Sequence, residues 1–214
     1  MKSYLLLIFI LLWNVNLHAV DWNEVLFESS ENGDLLKVKQ AIEKGGKVNY
    51  QSADKGGTSP LMIASEKGNL EIVKYLLSKK AKVNSKDNED YHSLMYAVRG
   101  GNLEVVKILI QNKANVNAAG LDGWTPLLDA ANIGNADIVR YLIKSGASVN
   151  DVNTYEESPL ILAAKNAHID IVKILIKNGA DLTLVDAEGK SALQHAEASG
   201  NKENIEILKK NLPK

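Results

Sequence analysis

WTPLLDAANIGNADIVRYLIKSGASVN, residues 124–150, is the stretch whose reading decides the fold. Thr125 before Pro126 is a helix N-cap followed by the residue best suited to the first helical position, where proline's missing N–H would be unpaired in any case. Gly134 ends that short helix, because glycine accepts the left-handed conformation without a Cβ clash. A second helix follows, with Ile138, Val139, Leu142 and Ile143 on one apolar stripe. Stepping by 33 from Leu127 reaches Leu61, Leu94, Leu160 and Leu193. Each of these leucines is followed three residues on by Ala64, Ala97, Ala130, Ala163 or Ala196, and each except Leu160 is followed seven residues on by glycine. The second-helix stripe recurs as Ile72, Val73, Leu76, Leu77, then as Val105, Val106, Leu109, Ile110, and again as Ile171, Val172, Leu175, Ile176. Such stripes stack into one apolar wall, so they are core and not a cofactor site.

A period of 33 with a Thr-Pro-Leu opening and two short helices per unit resembles the ankyrin repeat. The resemblance implies an all-α repeat fold: an ankyrin-repeat solenoid of helix-turn-helix units with projecting hairpin loops. It divides the chain into an N-terminal capping repeat at 20–57, four repeats at 58–90, 91–123, 124–156 and 157–189, and a C-terminal capping repeat at 190–214. In that family Asn49, Asn84, Asn117 and Asn150 stand at the stem of each finger-like loop, where a short amide bonds backbone near the turn. The connection through residues 50–57 carries two extra residues. In the first unit Ser29 and Ser30 stand where the next has Ala64 and Ser65, and Asp34, Lys37, Lys39, Gln40 and Glu43 face water, as suits an end unit with one face lacking a neighbour. Trp22 belongs to the packing of that cap, and Pro213 stops the last unit.

The chain departs from the family where Thr-Pro-Leu-His is usual. Met62, Met95, Leu128, Ile161 and Gln194 replace the histidine, so apolar packing takes over from that hydrogen-bond network. The third unit has His92-Ser93 in place of Thr-Pro. Lys80 and Lys113 stand where Gly146 and Gly179 mark the end of the second helix. A left-handed residue other than glycine costs about 1 kcal/mol there, so the second and third repeats are expected to be the less rigid.

Residues 1–19 read as a secretory signal: Lys2, an apolar run at 4–13, and Leu17-His18-Ala19 as a cleavage site. The run is shorter than the roughly 18 apolar residues a membrane span needs. Export follows, with a mature chain from Val20 that is soluble, monomeric and free of the membrane. The net charge of -1 provides no basic stripe able to displace phosphate counterions, which excludes nucleic acid as a partner, and it disfavours membrane surfaces likewise. The chain has no cysteine, hence no disulfide and no thiolate metal site.

No catalytic or metal site is legible, and no cofactor is expected. Gly189-Lys190-Ser191 looks like the end of a phosphate loop, but Leu184 stands where its first glycine should be. His92, His168 and His195 fall in different columns of different repeats, without metal-ligand spacing. His168 follows the place of the helix-ending glycine, a structural role. Glu71, Glu104, Asp137, Asp170 and Glu203 recur near second-helix N-termini, where the helix dipole favours negative charge.

What remains is surface. In the family, partners lie on the concave side formed by finger tips and first helices. On the middle units those columns hold Tyr91, Tyr96, Leu121, Trp124 and Tyr155, with Arg99 and Asp129 among the charges around them; exposed Trp and Tyr are enriched at binding hot spots. The protein-binding residues expected are therefore Tyr91, Tyr96, Arg99, Leu121, Trp124, Asp129 and Tyr155. The rim of Asp90, Asp122, Asp129 and Glu156 suits an unidentified protein partner with some basic character. The leading function is a noncatalytic, exported protein-protein interaction module in a bacterial periplasm. The alternatives are an extracellular effector or antagonist that engages a host or competitor protein, an enzyme with an unrecognised site, and a substrate of an asparagine hydroxylase at the Val-Asn positions.

Overall fold

The computed structural model describes residues 20–213. The expected signal at 1–19 lies outside them. Among the described residues twelve α-helices form six antiparallel pairs: α1 Trp22–Asn32 with α2 Leu35–Glu43, α3 Pro60–Glu66 with α4 Leu70–Ser78, α5 Ser93–Arg99 with α6 Leu103–Gln111, α7 Pro126–Ile133 with α8 Ala136–Lys144, α9 Pro159–Lys165 with α10 Ile169–Lys177, and α11 Ala192–Ser199 with α12 Lys202–Asn211. First helices pack on first helices and second on second along the stack, which gives an all-α repeat solenoid.

The local chemistry sets each boundary. The hydroxyls of Ser59, Thr125, Ser158 and Ser191 each accept the backbone N–H three residues on, and proline opens α3, α7 and α9. His92 holds the same place before α5 without making a side-chain cap, and His92 Nδ1 and Ser93 Oγ are buried with no partner among the described residues. Short first helices carry fully buried Ala64, Ala97, Ala130 and Ala163, which lets neighbours approach closely. Leu61, Leu94, Leu127 and Leu160 occupy equivalent places in successive units, all at 1 % exposure or less, while Leu193 of the end unit is half-buried. Met62, Met95, Leu128 and Ile161 are buried as expected. Of each second-helix stripe, three residues are buried; the fourth (Leu77, Ile110, Ile143, Ile176) is half-buried, because it rides the edge of the wall.

Ser29 and Ser30 are buried like Ala64 and Ser65 of the next unit, and their hydroxyls donate to the carbonyls of Val25 and Leu26 one turn back. Two expectations are corrected or sharpened. The stem asparagines reach the next repeat rather than their own turn. Asn84 accepts from the N–H of Asn115 (2.9 Å) and donates to the carbonyl of Lys113 (3.0 Å), and Asn117 does the same with Ser148 and Gly146. The two extra residues of the first connection are absorbed in a 3-10 turn, Ala53–Lys55, followed by left-handed Gly56 and Gly57.

A second set of staples compensates for the missing histidine column. Asn69 donates to the carbonyls of Ser30 and Glu31, Asn102 to that of Glu66, and His168 Nε2 lies 3.0 Å from the Asn132 carbonyl. Each reaches back to the end of the preceding first helix, across the glycine that ends it. At Gly68 a Cβ would stand 2.3 Å from Asn102 Oδ1, so glycine is required for reach as well as for its φ of 72°. Trp22 is half-buried against the core of the first unit. Lys80 and Lys113 are left-handed, at φ of 67° and 69°. Among the described residues no helix is long and apolar enough to cross a membrane.

Candidate functional site

Each finger is a narrow turn closed by one main-chain bond at its base: Asp87 N–H to Tyr91 O, Gly120 to Trp124, Asn153 to Glu157, Asp186 to Lys190. Neighbouring fingers are tied tip to tip by one further bond each, from Asn88 N–H to Gly56 O, Leu121 to Glu89, Thr154 to Asp122 and Ala187 to Tyr155. The row of tips is thus a continuous ribbon, so side chains standing on it are held at fixed separations. Where Gly123 and Gly189 take the left-handed place at two tips, Asp90 (φ 62°) and Glu156 (φ 58°) take it at two others.

Four of the seven expected contact residues work inside this scaffold. Tyr91, 5 % exposed, is not a free surface: its ring lies beneath the Arg99 guanidinium at 3.9 Å, and its hydroxyl donates to Asp122 of the next finger. Gly120 makes room for it, since a Cβ there would meet the Tyr91 ring at 2.9 Å. Asp129, also 5 % exposed, receives Arg99 Nε at 3.1 Å. Tyr96 donates to Asp87 at 2.7 Å and lies 3.1 Å from the Thr58 hydroxyl. Stacking and hydrogen bonding to the adjacent unit bury Tyr91 and Asp129 and leave Tyr96 half-buried, while Arg99 stays exposed above the ring, which sequence columns could not reveal. Burial pushes the hydroxyls of Tyr91 and Tyr96 up to about 12, with Asp122 and Asp87 as accepting carboxylates adding to it. Burial also pushes Asp129 up to about 6, against the pull of Arg99.

The accessible apolar surface lies further out. Leu121 is 69 % exposed and Tyr155 62 %, and Trp124 is half-buried beside them. The structure adds Val152 and Val185, both exposed on the next two fingers. Their signal in the sequence was faint, because a valine after a finger stem is as compatible with burial as with exposure. The same bonded fingers carry the carboxylates of Glu89, Asp122, Glu156 and Glu188. The five finger segments (50–58, 85–91, 118–124, 151–157, 184–190) carry ten acidic residues against three lysines.

Beyond the middle units the last two fingers enclose a cleft of about 520 Å³, lined by Tyr155, Glu157, Lys165, Asp186, Lys190 and His195. Its charges satisfy one another. Lys165 donates to Glu157 at 2.9 Å, and His195 Nε2 meets Asp186 Oδ2 at 2.6 Å. Although burial opposes it, the N–H of Lys190 and the His195 ring hold Asp186 below the usual carboxylate range. This pairing was legible in principle, since Asp186 and His195 repeat the spacing of Asp87 and Tyr96. Among the described residues no group of three potential ligands is placed to hold a metal ion.

Comparison with known families matches two models of ankyrin repeats: one described as three copies, over residues 3–87 and 87–153, and one described as many copies, over residues 142–196. No curated protein matches the chain.

Proposed function

The chain belongs to the ankyrin repeat family, whose members are generally protein-protein interaction modules, and from that premise we propose that it is a noncatalytic module that binds its protein partner on the finger ribbon of the middle and following repeats. The observation that carries this is the row of exposed apolar side chains, Leu121, Val152, Tyr155 and Val185, fixed by the tip-to-tip bonds and bordered by carboxylates. Apolar surface that a solenoid leaves on a rigid edge serves no packing duty, and a partner that covers it recovers about 25 cal/mol per Å² buried. The complementary partner presents apolar side chains among basic ones. Tyr91, Tyr96, Arg99 and Asp129 act beneath this surface by holding the fingers in place, and Leu121, Trp124 and Tyr155 make the contact.

The reading of residues 1–19 as a signal places the module outside the cytoplasm, in a periplasm; delivery beyond the cell would mark it instead as an effector or antagonist. Crosslinking in the native compartment, followed by identification of what is captured, tests the binding reading. Leu121→Ala with Tyr155→Ala removes exposed side chains and is expected to abolish capture with the melting curve unchanged. Capture that survives the double variant sinks the assignment of this face.

A further inference from the structure

We propose that the opposite-charged edge of the solenoid, formed by the ends of the second helices, lies on an anionic phospholipid surface. The segments that leave the second helices (43–49, 78–84, 111–117, 144–150, 177–183) carry eight lysines and two carboxylates, Glu43 and Asp181. The fingers show the reverse balance, so a net charge of -1 conceals two faces of opposite sign. Because second helices pack side by side, their ends form a line with one or more lysines per unit at roughly 10 Å spacing. Lys44, Lys80, Lys82, Lys113, Lys144 and Lys177 are all exposed. Among the described residues none of them has a carboxylate within 4.0 Å, whereas Lys86, Lys165 and Lys190 on the finger side each do.

Two of these lysines are held at a conformational cost. The helix dipole accounts for lysine in the last turn of a helix. It does not account for Lys80 and Lys113, which stand one residue beyond the cap at left-handed φ, where Gly45, Gly146 and Gly179 serve in the other units. Among the described residues a Cβ at any of those three glycines would meet nothing within 4 Å, so no packing contact there favours a side chain. A strained residue kept where glycine would be free points to use of its side chain.

The occupant follows from the charge pattern. The line contains lysine and no arginine, point charges without the planar fork that reads phosphates one at a time, which suits a diffuse anionic surface. A lysine beside an anionic leaflet contributes a roughly five-fold gain in partitioning. A second copy of the chain is the poorer fit, because part of the finger charge is already neutralised by Lys86, Lys165 and Lys190. Repulsion between the acidic fingers and the same leaflet would turn the ribbon away from the lipid. This inference is independent of the partner reading.

The test uses the chain from Val20 on, which contains the twelve helices described above, sedimented with vesicles of phosphatidylcholine alone or with phosphatidylglycerol added. Binding is expected only with phosphatidylglycerol, and it should weaken as salt rises. Lys80→Gly with Lys113→Gly should lower binding about 25-fold, while the melting temperature stays the same or rises, because the left-handed strain is relieved. Lys86→Gln with Lys190→Gln removes the same charge from the fingers and should leave binding unchanged. Absence of phosphatidylglycerol-dependent binding, or equal losses in the two double variants, overturns the proposal. So does salt-sensitive sedimentation without vesicles that the glycine variants abolish, which would identify a second copy as the occupant.

Discussion

Asn204 occupies the column that Ile72, Val105, Ile138 and Ile171 fill in the preceding units, and it is fully buried in the first turn of α12. Neither its side-chain oxygen nor its nitrogen has a hydrogen-bond partner among the described residues. A buried polar group left unpaired costs about 1–3 kcal/mol. Valine, which holds this column as Val105, is close to asparagine in shape and somewhat larger, and the two have similar helix propensity. The backbone N–H of residue 204 keeps its bond to Asn201 Oδ1, at 3.0 Å, whatever side chain it carries. After allowance for imperfect fit, Asn204→Val is expected to stabilise the chain by about 1–2 kcal/mol. For a protein of this size that raises the melting temperature by roughly 2–8 °C. Thermal unfolding followed by circular dichroism reads the total. Hydrogen exchange of the amides of α12 reads it locally, since an end repeat leans on one neighbour only and opens first. A lower melting temperature, or faster exchange in α12, would refute the reasoning, for it would mean that the amide is satisfied and that the column tolerates no second methyl group.

Other perturbations test the remaining links. Asp129 is raised from 3.8 to about 6 in the folded chain, so its contribution to stability is fully present below about 3.8 and is lost as pH rises through about 6. Denaturant unfolding between about pH 7 and about pH 4 should therefore show the native chain gaining on Asp129→Asn under acid, by at most about 3 kcal/mol and by less given that Arg99 is 38 % exposed; parallel curves for the two proteins would contradict the burial argument. His92→Thr with Ser93→Pro restores the cap that the third unit lacks, at a backbone already extended (φ -113°, ψ 163°), and should add about 1–2 kcal/mol by chemical denaturation. Gly68→Ala should cost about 2–3 kcal/mol, from left-handed strain and the displaced Asn102 staple, and a variant as stable as the native chain would show that the staple is dispensable.

The period of 33, the paired helices and their caps were legible in the sequence because each unit is specified locally: a hydroxyl and a proline open a helix, a glycine or its substitute ends it, and a stripe of four apolar residues turns one side inward. The left-handed places of Lys80 and Lys113 could be read by aligning them with Gly146 and Gly179. Alignment could not tell which variable side chains stay in water. Tyr91 and Leu121 both sit in finger columns free of the repeat's constraints, yet Tyr91 is covered by Arg99 and bonded to Asp122, while Leu121 stands clear. That outcome depends on what the adjacent unit offers across about 10 Å, a relation between residues some thirty positions apart. Tertiary structure also decided that the stem asparagines bridge units, that Asn204 is buried without a partner, and that lysines and carboxylates gather on different edges. A composition close to neutrality carries no trace of where its charges lie, because only stacking brings the same position of every unit into one line.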